Sequence, residues 1–269
     1  MPFAPTGLIT LTTDFGAAEP FVGIVKGRIL QRLPGARIID LSHGLPAGRV
    51  DLAGFWLAQS WREFPPGSVH LAVVDPGVGT ARGIITAVAG GHLLLGPDNG
   101  LLPEALRGVE QVEWFAMRAD LPGKLGLGPL SRTFHGRDLF APLAALFAAG
   151  DLGPGDFGAP ARPSDPNPIP APVAAAADIT GCIVLADHFG NLFTNISAGA
   201  FARWRQPVVE AGRWRLPLSG TYGEADAGAP LALVNAYGLV EIAVNGGSAA
   251  ATLGLAPGDA VRLRDGLPA

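Results

Sequence analysis

Cysteine is almost absent from this sequence, which contains only Cys182 among its 269 residues. A single cysteine excludes an internal disulfide. No uninterrupted apolar run reaches the length of about 18 residues that a membrane-spanning helix needs. The first residues also lack the basic and apolar regions of a secretory signal. These absences predict a soluble, cytoplasmic protein with no membrane partner.

An excess of positive charge is also missing. Lysine and arginine total 19 against 23 acidic residues, a formal net charge of −4. This balance provides no broad cationic surface for phosphates, so a nucleic-acid partner is not expected. The 5 histidines show none of the spacings of a transition-metal site. A P-loop and a GxSxG nucleophile elbow are absent as well.

The first part of the chain alternates between apolar runs and segments with helical spacing. "GLITLTTDFG" predicts a strand that ends at Asp14. Val22, Val25, Ile29 and Leu33 then fall on one helical face. "SVHLAVVD" is continuously apolar, which is typical of a central strand covered on both faces. The alternation predicts an α/β domain over residues 1–160 with a mostly parallel central sheet.

Proline separates this region from the rest of the chain. "GAPARPSDPNPIPAPVAAAA" is too rich in proline for a core element. We therefore predict a proline-rich linker over residues 161–174. After it, short apolar segments such as "QPVVEAG" and "DAVRLRD" replace the long helical patterns. Residues 175–269 are predicted to form a second, all-β, barrel-like domain.

Polar residues gather where the predicted strands end. Asp14, Asp75 and Asp98 each follow an apolar run. Ligands of open α/β sheets bind beyond the carboxyl ends of the strands, so these positions are candidates for a site. Structural interpretations compete with this one. Asp14 could cap a turn, Asp98 fits ordinary turn chemistry, and His43 could serve either purpose.

The segment "VVDPGVGTAR" places an acid at the tip of a buried strand. Pro76, Gly77 and Gly79 favour a tight turn. Such a turn would bring Arg82 back toward Asp75. In the second domain, "DHFGNLFTN" directly follows an apolar run and combines an acid, an aromatic ring and amides. Those groups can recognise a nucleobase or an amino acid.

Eight segments, in order, carry a family resemblance. They are "LTTDFG", "VGIVKG", "DLSHG", "VVDPGVGTAR", "PDNGLL", "TFHGRDLFAPLAA", "DHFGNLFTNI" and "VNAYGLVEIAVNGGSAA". The chain resembles the S-adenosylmethionine (SAM) hydroxide adenosyltransferases, which are relatives of the fluorinase and chlorinase. The resemblance implies an α/β domain followed by a β-barrel, and a homotrimer with its sites at subunit interfaces. It also implies hydrolysis of SAM to adenosine and methionine by attack at C5′, with SAM as substrate and no cofactor.

The resemblance also assigns residues. Asp75, Arg82 and His135 would hold and polarise a water, with His135 as a possible proton acceptor. The implied substrate-binding residues are Asp14 for the ribose hydroxyls, Asp187 near the methionine ammonium, Asn191 for adenine with Phe189 beside it, and the backbone around Asn245 and Gly246. Tyr237 belongs to this set as a departure: halide-using relatives have serine-arginine where this chain has Ala236-Tyr237. The contact to the methionine carboxylate is therefore left open.

Three other functions remain as alternatives. A non-catalytic module would bind SAM or adenosine without releasing methionine. A SAM-dependent halogenase, similar to the chlorinase, would use halide. However, the halide-using relatives resemble "YPATGT" where this chain has "DPGVGT", and tyrosine-serine where it has His135-Gly136. They also carry an inserted loop after the first of these motifs, and the segment "ARGIITAVAGGHLLLGPDNG" is too short to contain it. A metal-assisted hydrolase would use Asp75, Asp98 and His135.

Overall fold

A computed structural model describes residues 2–164, 169–175 and 178–266. The chain divides into two compact units, Met1–Pro168 and Ile169–Ala269. This division falls within the segment 161–174 that the sequence indicates as a linker. Residues 165–168 of that segment lie outside the described residues, as do residues 176–177 and 267–269 of the second predicted domain.

The amino-terminal unit is built on one sheet, with strand order β2-β1-β3-β5-β4-β6-β7. The strands β1, β2, β3 and β5 run parallel, and β4, β6 and β7 extend the sheet by antiparallel pairing. The predicted mostly parallel sheet is thereby confirmed. The strand bounds are β1 Leu8–Thr13, β2 Arg37–Ser42, β3 Val69–Val73, β4 Ile84–Ala89, β5 His92–Pro97, β6 Glu113–Met117 and β7 Gly158–Pro160.

Helices cover both faces of this sheet. Val25 and Ile29 of α1 pack in one cluster with Leu71 and Val73 of β3. Ala72, between those two strand residues, packs instead in a second cluster with α2 and α3. Successive strand residues thus point to opposite faces, as the pleat requires. The helices are α1 Phe21–Arg32, α2 Val50–Ser60, α3 Leu101–Ala105, α4 Leu121–Lys124, α5 Ala141–Ala149 and α6 Pro154–Phe157.

The centre of the sheet follows the sequence pattern closely. All residues of β3 are buried, and β3 lies between β1 and β5. The hairpin β4–β5 turns at Gly90 and Gly91, and its register pairs Ala89 with His92. The sequence reading missed β6 and β7, because their residues lack a clear alternation. β7 is the edge strand, and the neighbouring β6 is only half-buried.

Two histidines are buried near the starts of β3 and β5. Thr10 Oγ1 lies 2.8 Å from His70 Nδ1, and His70 Nε2 lies 3.1 Å from His92 Nδ1. Burial and the neighbouring His92 lower the pKa of His70 to about 3. Both rings are therefore held neutral inside the sheet. They lie at the end opposite to the strand tips that carry Asp14 and Asp75.

The carboxy-terminal unit is a barrel. Its strands pair in the closed cycle β9-β10-β14-β13-β12-β11-β15-β9, and β8 adds to β9 outside the cycle. The predicted all-β barrel is confirmed. The bounds are β8 Val173–Ala174, β9 Asp178–Ala186, β10 Leu192–Ser197, β11 Pro207–Ala211, β12 Trp214–Ser219, β13 Pro230–Val234, β14 Leu239–Val244 and β15 Ala260–Asp265, with a short helix α7 Ala249–Leu253.

One strand of the barrel was not predicted. The segment "DHFGNLFTN" was interpreted as a polar ligand-recognition turn, but β10 begins at Leu192 within it. Leu192, Phe193 and Thr194 are buried, and the Thr194 hydroxyl donates to the Val240 carbonyl. That bond allows a polar residue to lie inside a strand core. Over residues 2–164, 169–175 and 178–266, no helix has the length and apolar character to cross a membrane.

Candidate functional site

A cavity of about 320 Å³ opens at the carboxyl ends of β1 and β3 in the amino-terminal unit. Asp14, Asp75 and His135 are among its lining residues, together with Phe15 and Phe134. β1 and β3 are parallel neighbours, so the residues that follow them meet at one sheet edge. This is the position where an open α/β sheet places its ligands.

Asp75, Arg82 and His135 form one hydrogen-bonded cluster at this cavity. Arg82 Nε donates to Asp75 Oδ1 at 3.0 Å and to Oδ2 at 2.9 Å, and Arg82 Nη2 also contacts Oδ2. The same Nη2 lies 2.9 Å from His135 Nδ1. Arg82 does not itself line the cavity. It therefore connects the two side chains that do.

The turn after β3 makes this contact possible. The Asp75 carbonyl accepts from the Val78 amide, and the Gly77 carbonyl accepts from the Thr80 amide, so two successive tight turns reverse the chain. Gly79 has φ +74° and packs against the Arg132 backbone, where an added Cβ would come within 2.0 Å of the carbonyl oxygen. Glycine is thus required both for conformation and for space.

His135 lies immediately before a π-helical segment, Gly136–Phe140, which leads into α5. The Asp138 carboxylate in this segment accepts from the Ser131 amide and pairs with Arg137, which fixes the preceding loop. Burial, followed by the Arg82 charge, lowers the pKa of His135 against opposing effects of Asp75 and Asp138. The ring is therefore neutral near pH 7.

Asp98 does not join the cluster. Its carboxylate accepts from the Ser164 amide at 2.7 Å and from the Ser164 hydroxyl at 3.2 Å. Asn99 donates to the Val74 carbonyl, so this corner of the sheet is held by turn contacts. Among the described residues, the structure forms no group of three or more histidine, cysteine, aspartate and glutamate side chains suited to a metal ion.

A second cavity, of about 490 Å³, lies in the carboxy-terminal unit. Its lining residues are Phe189, Asn191, Tyr222, Val244, Gly246 and Gly247. Three of them, Phe189, Asn191 and Gly246, are substrate-binding candidates from the sequence. An exposed aromatic ring beside a buried amide can stack on a flat heterocycle and bond its edge. Phe189 is 73% exposed, whereas Asn191 is 8% exposed.

Asp187 does not line this cavity but contacts two residues that do. Its Oδ1 accepts from the amides of Phe189 and Asn191, at 2.9 and 2.8 Å. The Asn191 side chain donates to its Oδ2 at 3.3 Å. The Asp187 carboxylate therefore orders the turn that carries both cavity residues.

Tyr237 and Asn245 also lie outside the residues that line the cavity. The Tyr237 ring packs against Phe193, with 6.1 Å between centroids. The Asn245 side chain donates to the Ala225 carbonyl at 2.8 Å. Of the predicted pair Asn245 and Gly246, only the glycine faces the cavity.

Tyr222 was missed by the sequence reading. It lines the cavity, and its hydroxyl donates to Glu241 Oε1 at 2.7 Å. Asn235 donates to Glu241 Oε2 at 3.1 Å, so this carboxyl group, 1% exposed, has a donor on each oxygen. Burial raises the pKa of Glu241, although both donors oppose the shift. The only signal was an isolated tyrosine in a glycine-rich connection, in a chain with 2 tyrosines.

Comparison with known proteins decides the family. The sequence profile of the SAM hydroxide adenosyltransferase N-terminal domain matches residues 9–158, and that of the C-terminal domain matches residues 181–262. The chain belongs to the SAM hydroxide adenosyltransferase family. The residues that line the two cavities therefore lie within the two matched domains.

Several relatives match nearly the whole length of this chain. An (R)-S-adenosyl-L-methionine hydrolase of Salinispora tropica is 40% identical over 98% of this chain and 100% of its own. A Thermus thermophilus protein of the same name is 40% identical over 93% of this chain and 97% of its own. A fluorinase of Actinopolyspora mzabensis is more distant, at 25% identity over 95% and 96%.

A solved structure resembles this chain as well. A conserved protein from Thermotoga maritima superimposes with a TM-score of 0.86, at 31% identity, over 95% of this chain and 99% of that one. The resemblance predicted from eight short segments is thus confirmed over nearly the whole chain.

Proposed function

We propose that this protein hydrolyses SAM to adenosine and L-methionine. The observation that supports this most directly is that Asp75 and His135, joined by Arg82, line one cavity with Asp14. A pure binding module has no need of an acid and an imidazole that one guanidinium joins at the cavity. Relatives at 40% identity are named hydrolases, whereas the fluorinase is 25% identical. This difference favours water over halide as the nucleophile.

The reaction is a displacement at the ribose C5′. A bond forms between the water oxygen and C5′, and the C5′–sulfur bond breaks with its electron pair passing to sulfur. Because the sulfonium leaves as neutral methionine thioether, no acid has to protonate it. The enzyme must instead hold the water in line and receive its proton, and such positioning is worth several kcal/mol.

Asp75 is our candidate for the proton acceptor. Arginine always donates, so the Nδ1 of His135, 2.9 Å from Arg82 Nη2, must accept and the neutral ring carries its hydrogen on Nε2. Such a ring presents an N–H rather than a lone pair to the water. Asp75 keeps free lone pairs on oxygens that Arg82 contacts from one side. The sequence left open which of Asp75, Arg82 and His135 takes the proton, with His135 as one candidate, and the contact with Arg82 favours Asp75.

The remaining binding roles form part of the same proposal. Asp14 would accept from the ribose hydroxyls, and Asn191 with Gly246 would contact adenine while Phe189 and Tyr222 flank it. Asp187 would attract the methionine ammonium while it orders the turn. The position of Tyr237 beside Phe193 leaves the backbone amides near Ala236 as our candidates for the methionine carboxylate. No separate cofactor is required, because the leaving group is already activated.

The test is a product analysis with both sulfonium epimers of SAM. The relatives are named for the (R) epimer, and we expect this epimer to be the better substrate. Adenosine and methionine should appear in equal amounts, and in ¹⁸O-labelled water the label should enter adenosine at the 5′ oxygen. S-adenosylhomocysteine as the product would instead mean methyl transfer and would reject the proposal.

The same assay separates the alternatives. Tight binding without methionine release would identify a binding module, and 5′-chloro-5′-deoxyadenosine at high chloride would identify halogenase activity. Loss of turnover after treatment with a chelator, with recovery on adding a divalent ion, would favour a metal-assisted hydrolase. We expect turnover to persist in the presence of the chelator.

We further infer a homotrimer whose sites draw on two subunits, as the family resemblance implies. Its test uses two inactive variants, Asp75→Ala in one unit and Asn191→Ala in the other. If each site takes these residues from different subunits, co-expressed variants should recover part of the activity that neither shows alone. Light scattering on the purified protein measures the subunit number. Activity that never recovers in mixed oligomers would argue that one subunit supplies the whole site.

A further inference from the structure

A chain of polar contacts lies behind the turn that carries Asp14. Thr13, the last residue of β1 and 2% exposed, places its Oγ1 2.8 Å from His43 Nδ1. His43 Nε2 lies 3.0 Å from Asp40 Oδ1, at ion-pair distance although not aligned as a hydrogen bond. Lys26 Nζ, from α1, completes the chain 2.6 Å from Asp40 Oδ2. These contacts join β1, the neighbouring strand β2 and a helix.

The chain ends on the backbone beside Asp14. The Phe15 amide donates to Thr13 Oγ1 at 3.3 Å, and the Gly16 amide donates to the His43 carbonyl at 2.8 Å. The two residues after Asp14 are thus both tied to this network. The Asp14 carboxylate itself accepts from the Gly48 amide at 2.8 Å. Thr13, and not Asp14, caps this turn, which leaves one Asp14 oxygen unused by the described contacts.

A His43 ring with its hydrogen on Nε2 leaves Nδ1 free to accept from the Thr13 hydroxyl. Burial raises the pKa of Asp40, but the contacts with Lys26 and His43 outweigh this effect and lower it overall. An ionised Asp40 favours a hydrogen on His43 Nε2, so Nδ1 accepts from the Thr13 hydroxyl. The Thr13 oxygen is then free to accept from Phe15. A charged ring would donate at Nδ1 and leave the Thr13 hydroxyl hydrogen without this acceptor.

We propose that Thr13, His43 and Asp40 are positioning residues that orient Asp14 toward the ribose hydroxyls of the substrate. This inference rests on the proposed function, in which Asp14 binds the ribose. The network touches no reacting atom. It fixes the backbone that carries the Asp14 carboxylate. A carboxylate selects a ribose diol only when both of its oxygens are correctly oriented.

The experiment compares adenosine with 2′-deoxyadenosine by titration calorimetry. Wild-type protein should bind adenosine more tightly, by about tenfold for one hydrogen bond to a charged group. Thr13→Val keeps the shape of the side chain but removes its hydroxyl, and it should lose most of that preference. Thr13→Ser retains the hydroxyl and should keep it. In the Asp14→Ala background, Thr13→Val should change the preference no further.

A purely structural role gives a different pattern. It would lower the melting temperature of Thr13→Val and leave the preference for adenosine unchanged, which would overturn the proposal. Asp40→Ala, at a partly exposed position, provides a second variant if Thr13→Val does not fold, and it should also reduce the preference. A wild-type protein that does not prefer adenosine would overturn it too. Failure to hydrolyse SAM would reject the proposed function, while the nucleoside preference would still test the positioning role.

Discussion

The Arg82 guanidinium spans both oxygens of Asp75, with Nε 3.0 Å from Oδ1 and 2.9 Å from Oδ2. The pair is largely withdrawn from water, with side-chain exposures of 11% for Arg82 and 5% for Asp75. In such surroundings the contact is screened little by salt. The carboxylate that we assign to the water is thus held rigidly, and its orientation depends on a planar partner.

Arg82→Lys should therefore impair turnover even though it keeps the positive charge. A lysine ammonium is a point charge and cannot contact Asp75 and His135 with the same planar geometry. We expect a fall in kcat of at least about tenfold, with SAM affinity little changed. Arg118→Lys is the matched control, since Arg118 pairs with Asp120 at the surface. Equal kcat values for the two variants would contradict the assignment.

Asp75→Asn and His135→Gln distinguish the two candidate proton acceptors. If Asp75 receives the proton, its amide variant should lose about 100-fold or more in kcat, because an amide is no base. His135→Gln should lose less and should keep the shape of the pH–rate profile. Pre-steady-state kinetics over pH 5–9 would provide both measurements. If the acidic limb of the pH–rate profile disappears only in the His135 variant, His135 and not Asp75 is the proton acceptor.

Gly79→Ala should disrupt the cluster from a distance. A methyl group at this position would meet the Arg132 carbonyl at 2.0 Å in a backbone with φ +74°. Either the turn that carries Arg82 or the loop before His135 must move, so activity should fall about tenfold or more. Gly108→Ala has the same φ but no atom within 4 Å of the added carbon. This control should lose some stability and retain full activity.

Tyr222→Phe should destabilise the carboxy-terminal unit. The Glu241 carboxyl group, 1% exposed, would lose the Tyr222 donor and keep that of Asn235. An unpaired buried polar group costs roughly 1–3 kcal/mol in the free energy of unfolding. Denaturant titration measures this cost, and Glu241→Gln, which keeps an acceptor for Tyr222, should lose less. The affinity for adenosine should be largely retained because the aromatic ring remains. If Tyr222→Phe is as stable as the wild type, the hydrogen bond between Tyr222 and Glu241 contributes nothing to stability.

His70 should make the stability of the protein depend on pH. Its pKa falls from 6.5 to about 3 on folding, so the unfolded chain binds the proton more readily. Stability should therefore be complete above pH 6.5 and decrease as the pH falls toward 3, by roughly 1.4 kcal/mol per pH unit for one such group. The free energy of unfolding of His70→Asn should show a weaker dependence between pH 6 and 4. The exposed His188→Asn variant should follow the wild type.

The sequence predicted those parts of the fold that depend on local pattern. The apolar run of β3 indicated a central strand, and Gly90-Gly91 indicated a hairpin, because burial and backbone conformation leave direct traces in composition. β10 left no such trace, since the polar Thr194 is buried through a bond to Val240, which is distant in sequence. Contacts of this kind depend on the tertiary arrangement.

The candidate site shows the same division. The spacing of Asp75 and Arg82 indicated a turn that brings the two residues together. His135 lies 53 residues after Arg82, and its place beside them was predicted only from the family resemblance. Glu241 could not be identified because its partners Tyr222 and Asn235 come from separate segments. Asp187 was placed near the ammonium by resemblance, and its contacts to the Phe189 and Asn191 amides became visible only in the structure.

Each cavity is formed within a single unit, one by residues 14–136 and the other by residues 189–247. The groups that we assign to the nucleophile and those that we assign to adenine are therefore encoded by separate, continuous stretches of the gene. Selection can alter the attacking species in the first stretch without disturbing nucleobase recognition in the second. We expect recombination between hydrolase and halogenase genes at the proline-rich segment to preserve both stretches intact. The residues that determine the nucleophile could then be exchanged between genes as one unit.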